Sequence, residues 1–272
     1  MVHNKKQLPL NEEEIQKRLK SKLIAKKIYA FGQLSSTNSY AKRLAQEGVP
    51  EGSLIISDQQ TKGRGRLGRS WESPPGKGLW FSLILRPDIS IDKAGIISLL
   101  AGVSIAEAVE KITNLTPILK WPNDLLINSK KFCGALIETE IESRRLSFII
   151  LGIGINVNQS EVDFSEEIRN YATSLQIESK GSIDRLNLLV EVLHFLEKQY
   201  LEFKTGKISM ILDAWKRRCP YLNKKLIIRQ NAREIEGIFE DLDEGGRLLL
   251  RLAHGEIKQF SVGDTSLKIE KN

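Results

Sequence analysis

The sequence predicts an α+β fold: a mixed, mainly antiparallel central sheet covered by helices, followed by a small β-barrel. Three observations predict it. Between about Ile91 and Ile112 runs a largely apolar stretch, AGIISLLAGVSIAEAV at its centre, which reads as a helix buried all round. The three strand-like runs after it are separated only by short turns, as in a meander. Beyond Tyr221 the chain breaks into short strands punctuated by Gly237, Gly245, Gly246, Gly255 and Gly263, the spacing of a small antiparallel barrel.

In chain order, Asn11 can cap a helix running to about Lys26. Glu12, Glu13 and Glu14 fill its first turn and lysines follow, an order that suits the helix dipole. KKIYAFG reads as a strand. Ser36 or Thr37 caps a second helix, NSYAKRLAQEG, which Gly48 ends. SLIISDQ and LWFSLILRP are strands. After the apolar helix come PILKWP, DLLINSKKFCGALIETEIE and LSFIILGIGINVN, with turns expected at Ser129-Lys130 and Ser143-Arg144-Arg145. Apolar residues at helical spacing (Leu188, Leu189, Val192, Leu196, Leu201) predict a helix over 184–204. Another spans 208–218 and is stopped by Pro220. The expected division is a helical segment over 1–26, a large domain over 27–221 and a barrel over 222–272.

A chain of 272 residues accommodates a domain plus a small one. With 41% hydrophobic and 28% charged residues it has an ordinary globular composition. No apolar run reaches transmembrane length, and MVHNKKQLPLNEEE has no signal-peptide core, so no membrane association is expected. Two cysteines, Cys133 and Cys219, fit a reducing compartment, which implies the cytoplasm. They and His3, His194 and His254 do not stand at metal-site spacing, which argues against zinc. Cys133, between Phe132 and Gly134, reads as a small buried hydrophobe. The net charge of +7 permits an acidic partner but identifies none.

The chemistry concentrates in QTKGRGRLGRSW, Gln60 to Trp71. Four cations (Lys62, Arg64, Arg66, Arg69) and three glycines (Gly63, Gly65, Gly68) share this loop. Guanidinium groups bind phosphate and carboxylate oxygens in pairs, and glycine lets backbone approach a ligand. The glycines also satisfy GxGxxG, but no helix opens after them. Pro74, Pro75, Gly76 and Gly78 follow instead, and Asp88 is not separated from the glycines by a helix, so a dinucleotide fold is rejected.

Three further clusters interrupt the apolar strands. SSTN (Ser35 to Asn38) alone reads as a helix cap. In KWPND (Lys120 to Asp124), Pro122 breaks the ladder, so Trp121, Asn123 and Asp124 can be aimed outward. Trp121 could then pack on a flat ligand and Asp124 could meet a cation, or the motif could be an edge turn. Lys131 and Gly134 follow, Lys131 alone reading as a solvated turn lysine. GIGIN (Gly152 to Asn156) could mean only a closely packed strand.

Together, STN, Q-x-x-GRGRxGR-x-W, KWPND with a lysine seven residues beyond its aspartate, and GxGIN closely resemble the biotin–protein ligase family. The resemblance spans roughly Lys27 to Lys268. It implies a catalytic domain with a C-terminal SH3-like barrel, biotin and ATP as substrates with Mg²⁺, and biotinyl-5′-AMP as intermediate. It also implies transfer to a lysine of a biotin carboxyl carrier domain, and homodimers. By position, Ser36, Thr37, Asn38 and Gln60 match residues that hold biotin, with Gly63, Arg64, Gly65 and Gly134. Arg66 and Lys131 match the catalytic cations and also touch biotin. Arg66, Arg69, Trp71, Asn123, Asp124, Gly154 and Asn156 match the nucleotide side, with Asp124 the Mg²⁺ candidate.

Residue chemistry agrees. A carboxylate attacking an α-phosphate joins two anions, so unreactive cations such as Arg66 and Lys131 are needed. A ureido group needs both donors and acceptors, which Ser36 and Gln60 supply. A mixed anhydride must be shielded from water, which implies that the glycine loop orders over bound ligand. Some members of the family add a winged helix-turn-helix. About 26 residues before the first strand provide one helix, whereas that reader needs two, so a short, ligase-only form without DNA binding is expected. A biotin-responsive DNA regulator would instead need the Lys-rich first helix on DNA. A lipoate or octanoate ligase would keep the fold, but the GRGRLGR and KWPND pair points to biotin.

Overall fold

The computed structural model describes residues 10–230, 233–261 and 265–269. The polar first nine residues, with His3, and the expected strand-breaker Gly263 lie outside the described residues.

Asn11 caps α1 (Glu12–Arg18), accepting the Glu14 backbone N–H at 2.9 Å. The helix stops at Arg18, not near Lys26 as the charge pattern predicts. The cause lies in another element: the Glu197 carboxylate takes the backbone N–H groups of Lys22, Leu23 and Ile24 and the Ser21 hydroxyl. Those donors cannot also serve a helical ladder. Burial would raise the Glu197 pKa, but these donors outweigh it and hold it below the ordinary 4.5. A depressed carboxyl stabilises the fold above its unfolded value and loses that contribution as pH falls through its folded value. Glu197→Ala should therefore cost about 3 kcal/mol, since it removes a charged acceptor from the buried Ile24 N–H and from the part-buried donors of Ser21, Lys22 and Leu23. A calorimetric Tm unchanged at neutral pH would refute this, as would a loss that did not shrink at acid pH.

The chain continues through β1 (Ile28–Leu34), α2 (Thr37–Gln46), β2 (Leu54–Gln60) and β3 (Gly78–Leu85). Ser36, not Thr37, is the cap of α2. Because α2 forms the crossover, β1 and β2 run parallel. α3 (Gly95–Ile112) begins later than expected, since Ile91–Lys93 forms a single 3₁₀ turn. Its body is buried along nearly its whole length, as the apolar run requires.

Then come β4 (Ile118–Lys120), β5 (Asp124–Ile127), β6 (Lys130–Glu142) and β7 (Arg145–Asn156). The long run after KWPND thus folds on itself. Asn128 and Ser129 form its turn with φ of 49° and 66°, one residue before the expected pair. Ser143 and Arg144 repeat the arrangement with φ of 48° and 65°. Paired left-handed residues match the twist of a two-residue hairpin.

The seven strands order as β1-β2-β3-β7-β6-β5-β4, antiparallel except for the first pair, so the predicted mixed sheet is present. α4 (Leu175–Ser179), α5 (Arg185–Lys204) and α6 (Ile208–Arg217) follow. α3, α5 and α6 share the main hydrophobic core on one face of the sheet. On the other face Ala41, Leu44 and Ala45 of α2 pack on Ile55, Ile84, Phe148 and Ile150, a second and smaller core. β3 is buried at every position because both faces above it are covered.

The terminal strands, β8 (Lys225–Gln230), β9 (Arg233–Leu242), β10 (Leu248–Arg251), β11 (Ile257–Phe260) and β12 (Thr265–Ile269), form one antiparallel sheet ordered β11-β10-β9-β8-β12. Leu226, Phe239, Leu248 and Phe260 join the main core, so the small sheet is fused to the large one. Trp121 takes part in that junction: its indole N–H donates to the Gly246 carbonyl at 3.1 Å. It is buried there as a clip between the sheets, and it also borders the cavity over the large sheet.

Candidate active site

Beside α2, the second face of the large sheet is left open by missing side chains. In register across three strands stand Trp80, Gly154 and Gly134, and next to them Ser82, Gly152 and Leu136. The first row forms a trough for Trp71, whose ring meets Trp80 edge-on at 6.5 Å between centroids. A Cβ at Gly154 would come within 2.6 Å of the Trp71 indole, and one at Gly134 within 3.2 Å. The second row receives Asn38, and a Cβ at Gly152 would come within 1.9 Å of its Oδ1. The glycines of GIGIN thus make room for side chains laid flat on the sheet.

A cavity opens over these rows. It is lined by Ser36, Thr37, Asn38, Gln60, Arg64, Gly65, Arg66, Arg69, Trp71, Asn123, Asp124, Lys131, Gly134 and Gly154, so fourteen of the sixteen residues singled out from sequence converge. Its polar end is a chain of hydrogen bonds. Gln60 Oε1 accepts from the Thr37 backbone N–H at 2.8 Å and from its hydroxyl at 3.1 Å. Gln60 Nε2 donates to Ser73 Oγ at 3.0 Å. The Ser82 hydroxyl lies 2.8 Å from Thr37 Oγ1 and 2.7 Å from Asn38 Oδ1. Ser36 both caps α2 and faces the cavity, so the plain helix-cap reading of SSTN is true without being the whole of it.

The other end is cationic. Arg66 Nη1 donates to Asn123 Oδ1 at 2.9 Å, and Asn123 Nδ2 donates to the Ala135 carbonyl at 2.8 Å. Asn123 therefore carries the guanidinium on a side chain that is itself fixed to β6. Lys131 Nζ sits 2.5 Å from Asp124 Oδ1 and 5.2 Å from the Trp71 ring centre. Lys131 is a half-buried, held cation here, not a solvated turn lysine. The loop closes on itself: Gly65 N–H donates to the Arg69 carbonyl at 2.7 Å and Trp71 N–H to that of Gly63 at 3.0 Å. Leu67 and Gly68 turn its tip with φ of 56° and 72°.

Two expected residues stand off the cavity. Gly63 is a backbone necessity, because a Cβ there would come within 2.3 Å of the Trp71 carbonyl. Asn156 is buried and donates to the Thr173 carbonyl at 3.0 Å. The segment it holds pairs with the Lys131 backbone: Lys131 N–H donates to the Tyr171 carbonyl at 2.7 Å and its carbonyl accepts from Thr173 at 2.9 Å. Asn156 thus sets the height of Lys131 indirectly. Lys62 of the loop is exposed and does not line the cavity.

Sequence reasoning missed Lys120. It lines the cavity and is the register partner of Asp124 across β4 and β5. Burial lowers its pKa below the ordinary lysine value, with Asp124 opposing and Lys131 and Arg69 adding to the shift. The available signal was the strand pairing implied by KWPND, which places its first and last residues side by side. Arg64, Arg66, Arg69, Lys120 and Lys131 thus face Asp124, the one carboxylate lining the cavity among the described residues. Such an excess of fixed positive charge favours anionic ligands and charge building on phosphorus. The Trp71 indole N–H is buried with no hydrogen-bond partner among the described residues, a donor available to a ligand acceptor. Among the described residues no group of three or more His, Cys, Asp or Glu could hold a metal ion. Cys133 is fully buried and its thiol pKa is raised by that burial, as expected for a packed hydrophobe. No helix of the described residues is long and apolar enough to cross a membrane.

Comparison with known proteins gives consistent matches. A family model described as "Biotin/lipoate A/B protein ligase family" matches residues 30–156, and one described as "Biotin protein ligase C terminal domain" matches residues 221–268. The chain is 38% identical over 261 residues to the "Bifunctional ligase/repressor BirA" of Bacillus subtilis, covering 94% of this chain and 79% of that one. It is 30% identical over 237 residues to the "Biotin--[acetyl-CoA-carboxylase] ligase" of Mycobacterium tuberculosis, covering 85% of each. A solved biotin protein ligase from Aquifex aeolicus, in complex with biotin and ATP, matches with a TM-score of 0.77 and 34% identity, covering 90% of this chain and 100% of that one.

Proposed function

The chain belongs to the biotin protein ligase family, and from that premise we infer that it activates biotin with ATP and passes it to a carboxylase. In the first step a biotin carboxylate oxygen bonds to the α-phosphorus of ATP, and pyrophosphate leaves. The product is biotinyl-5′-AMP. In the second step the ε-amine of a carrier-domain lysine bonds to the acyl carbon, AMP leaves, and the amine loses a proton. The single observation that carries the reading is the cavity itself: five cations on one side and a hydroxyl and amide cluster on the other.

On this reading Ser36, Thr37, Asn38 and Gln60 hold the ring system, and Gly65 and Gly134 let it lie close to backbone. Arg66 and Lys131 flank the reacting carboxylate and offset its repulsion of the phosphate. Arg69, Trp71, Asn123 and Gly154 serve the nucleotide. Mg²⁺ enters with ATP. Asp124 is the candidate protein ligand, but it already faces Lys131, so the phosphates would supply most of the metal's oxygens. A catalytic part up to about Tyr221, an SH3-like closure of the terminal sheet, a homodimer and a cytoplasmic location belong to the same proposal. The family resemblance supports them, and the second family match begins at residue 221.

The family description includes lipoate ligases, so the test must separate the two acyl groups. The purified protein is incubated with a biotin carboxyl carrier domain, MgATP and either biotin or lipoate, and the carrier is weighed by mass spectrometry. One biotinyl group per carrier is expected, with no lipoyl adduct. An unmodified carrier, or preference for lipoate, would overturn the assignment.

A further inference from the structure

Glu138 on β6 was not singled out by its sequence, and it does not line the main cavity. It lies in the neighbouring groove, beneath the glycine- and arginine-rich loop. One of its oxygens, Oε2, accepts from Arg64 Nη2 at 2.8 Å and from Asn38 Nδ2 at 2.8 Å. Arg64 belongs to the loop; Asn38 belongs to the first turn of α2. A single carboxylate oxygen therefore ties the loop to the fixed wall of the site.

The rest of the chain of contacts shows how completely the loop depends on that wall. Asn38 is held by Ser82, Thr37 reaches Gln60, and Gln60 reaches Ser73. Gln60 and Ser73 flank the loop on either side, and Arg64 lies between them. Further ties run through neutral side chains: the Thr37–Gln60–Ser73 chain at the loop's ends and Asn123 beneath Arg66. The Arg64–Glu138 tie crosses from the loop to the sheet through opposite charges.

We propose that Glu138 is the positioning residue that keeps the loop shut over the activated intermediate, through Arg64. The proposal rests on the function inferred above. Its chemistry is retention: an acyl-adenylate that escapes will acylate water or any amine, so the time for which the loop stays closed determines where the acyl group goes. Because the pair is partly exposed, with 43% of the Arg64 and 28% of the Glu138 side chain open to solvent, its effect should be moderate and salt-sensitive.

The test uses the full chain with Glu138→Gln, which keeps the size and an acceptor for Asn38, and Glu138→Asp, which keeps the charge on a shorter arm. Pyrophosphate release in the first turnover, escape of preformed biotinyl-5′-AMP into a chase, and labelling of a bystander protein's lysines are measured. Glu138→Gln should release pyrophosphate within about twofold of wild type yet lose the intermediate about fivefold faster, with bystander labelling rising in step. Glu138→Asp should lie closer to wild type. The gap between Glu138→Gln and wild type should close at 1 M salt, where charges are screened over about 3 Å, an outcome that a purely structural role would not produce. Equal escape from wild type and Glu138→Gln, or a gap that persists in high salt, would overturn the proposal. Wild-type protein that makes no biotin-dependent pyrophosphate would sink the function and this inference together; wild type that does, with variants that retain the intermediate equally, would sink only this one.

Discussion

Replacing Lys131 with alanine is expected to slow biotin-dependent pyrophosphate release about a hundredfold, with little change in Tm. One fixed cation beside developing negative charge is typically worth ~3 kcal/mol in a water-poor site. The structure supports that scale because the ammonium is not free to wander: Asp124 holds it at 2.5 Å and the Trp71 ring covers it. Its backbone is fixed in turn by the segment that Asn156 anchors. The stability cost should stay small, since the pair is a quarter to a third exposed and the orphaned carboxylate can be hydrated. Rapid-quench measurement of the first turnover separates this step from acyl transfer. A variant that makes pyrophosphate at near wild-type rate would remove Lys131 from the chemistry.

Gly152→Ala should weaken biotin binding by roughly tenfold to a hundredfold, the range expected when an extra methyl group overpacks a filled space. The added Cβ would come within 1.9 Å of Asn38 Oδ1, and Asn38 is buried against Ser82 and Glu138 with little room to withdraw. Displacing it disturbs the wall of the ring-side pocket and removes one partner of Glu138. The readout is calorimetric titration with biotin alone, which isolates binding from turnover. Unaltered affinity would show that Asn38 can leave its berth without consequence.

Much of the site was legible in the sequence because its motifs are chemical. Cations, glycines and small hydroxyls cluster in GRGRLGR, KWPND and SSTN, and the meander brings the clusters together. What was not legible depends on contacts remote in sequence. Glu197 lies more than 170 residues from the donors that shorten α1, so no local pattern announces it. Pro122 frees Trp121 from the ladder, but its hydrogen-bond partner, the Gly246 carbonyl, lies 125 residues away in the turn between β9 and β10. Asn156 carries a motif's signature, yet it spends its amide on Thr173 and Gln159. Glu138 hid inside an alternating strand where an outward-facing acid is unremarkable. The meander from β4 to β7 followed from hydrophobic pattern and turn chemistry. The exact ends of α1 and α3 did not, since tertiary donors and a 3₁₀ turn determine them.

The clip between Trp121 and Gly246 has a consequence for how the molecule comes apart. An indole shared by two sheets, inside a common apolar interior, makes the small sheet part of the foundation beneath the KWPND turn and not an appendage. Cutting the chain near Tyr221 would open a hole under the very strand that carries Lys120 and would loosen the turn that aims Asp124. The two halves should melt together, and neither should be expected to work as a freestanding piece.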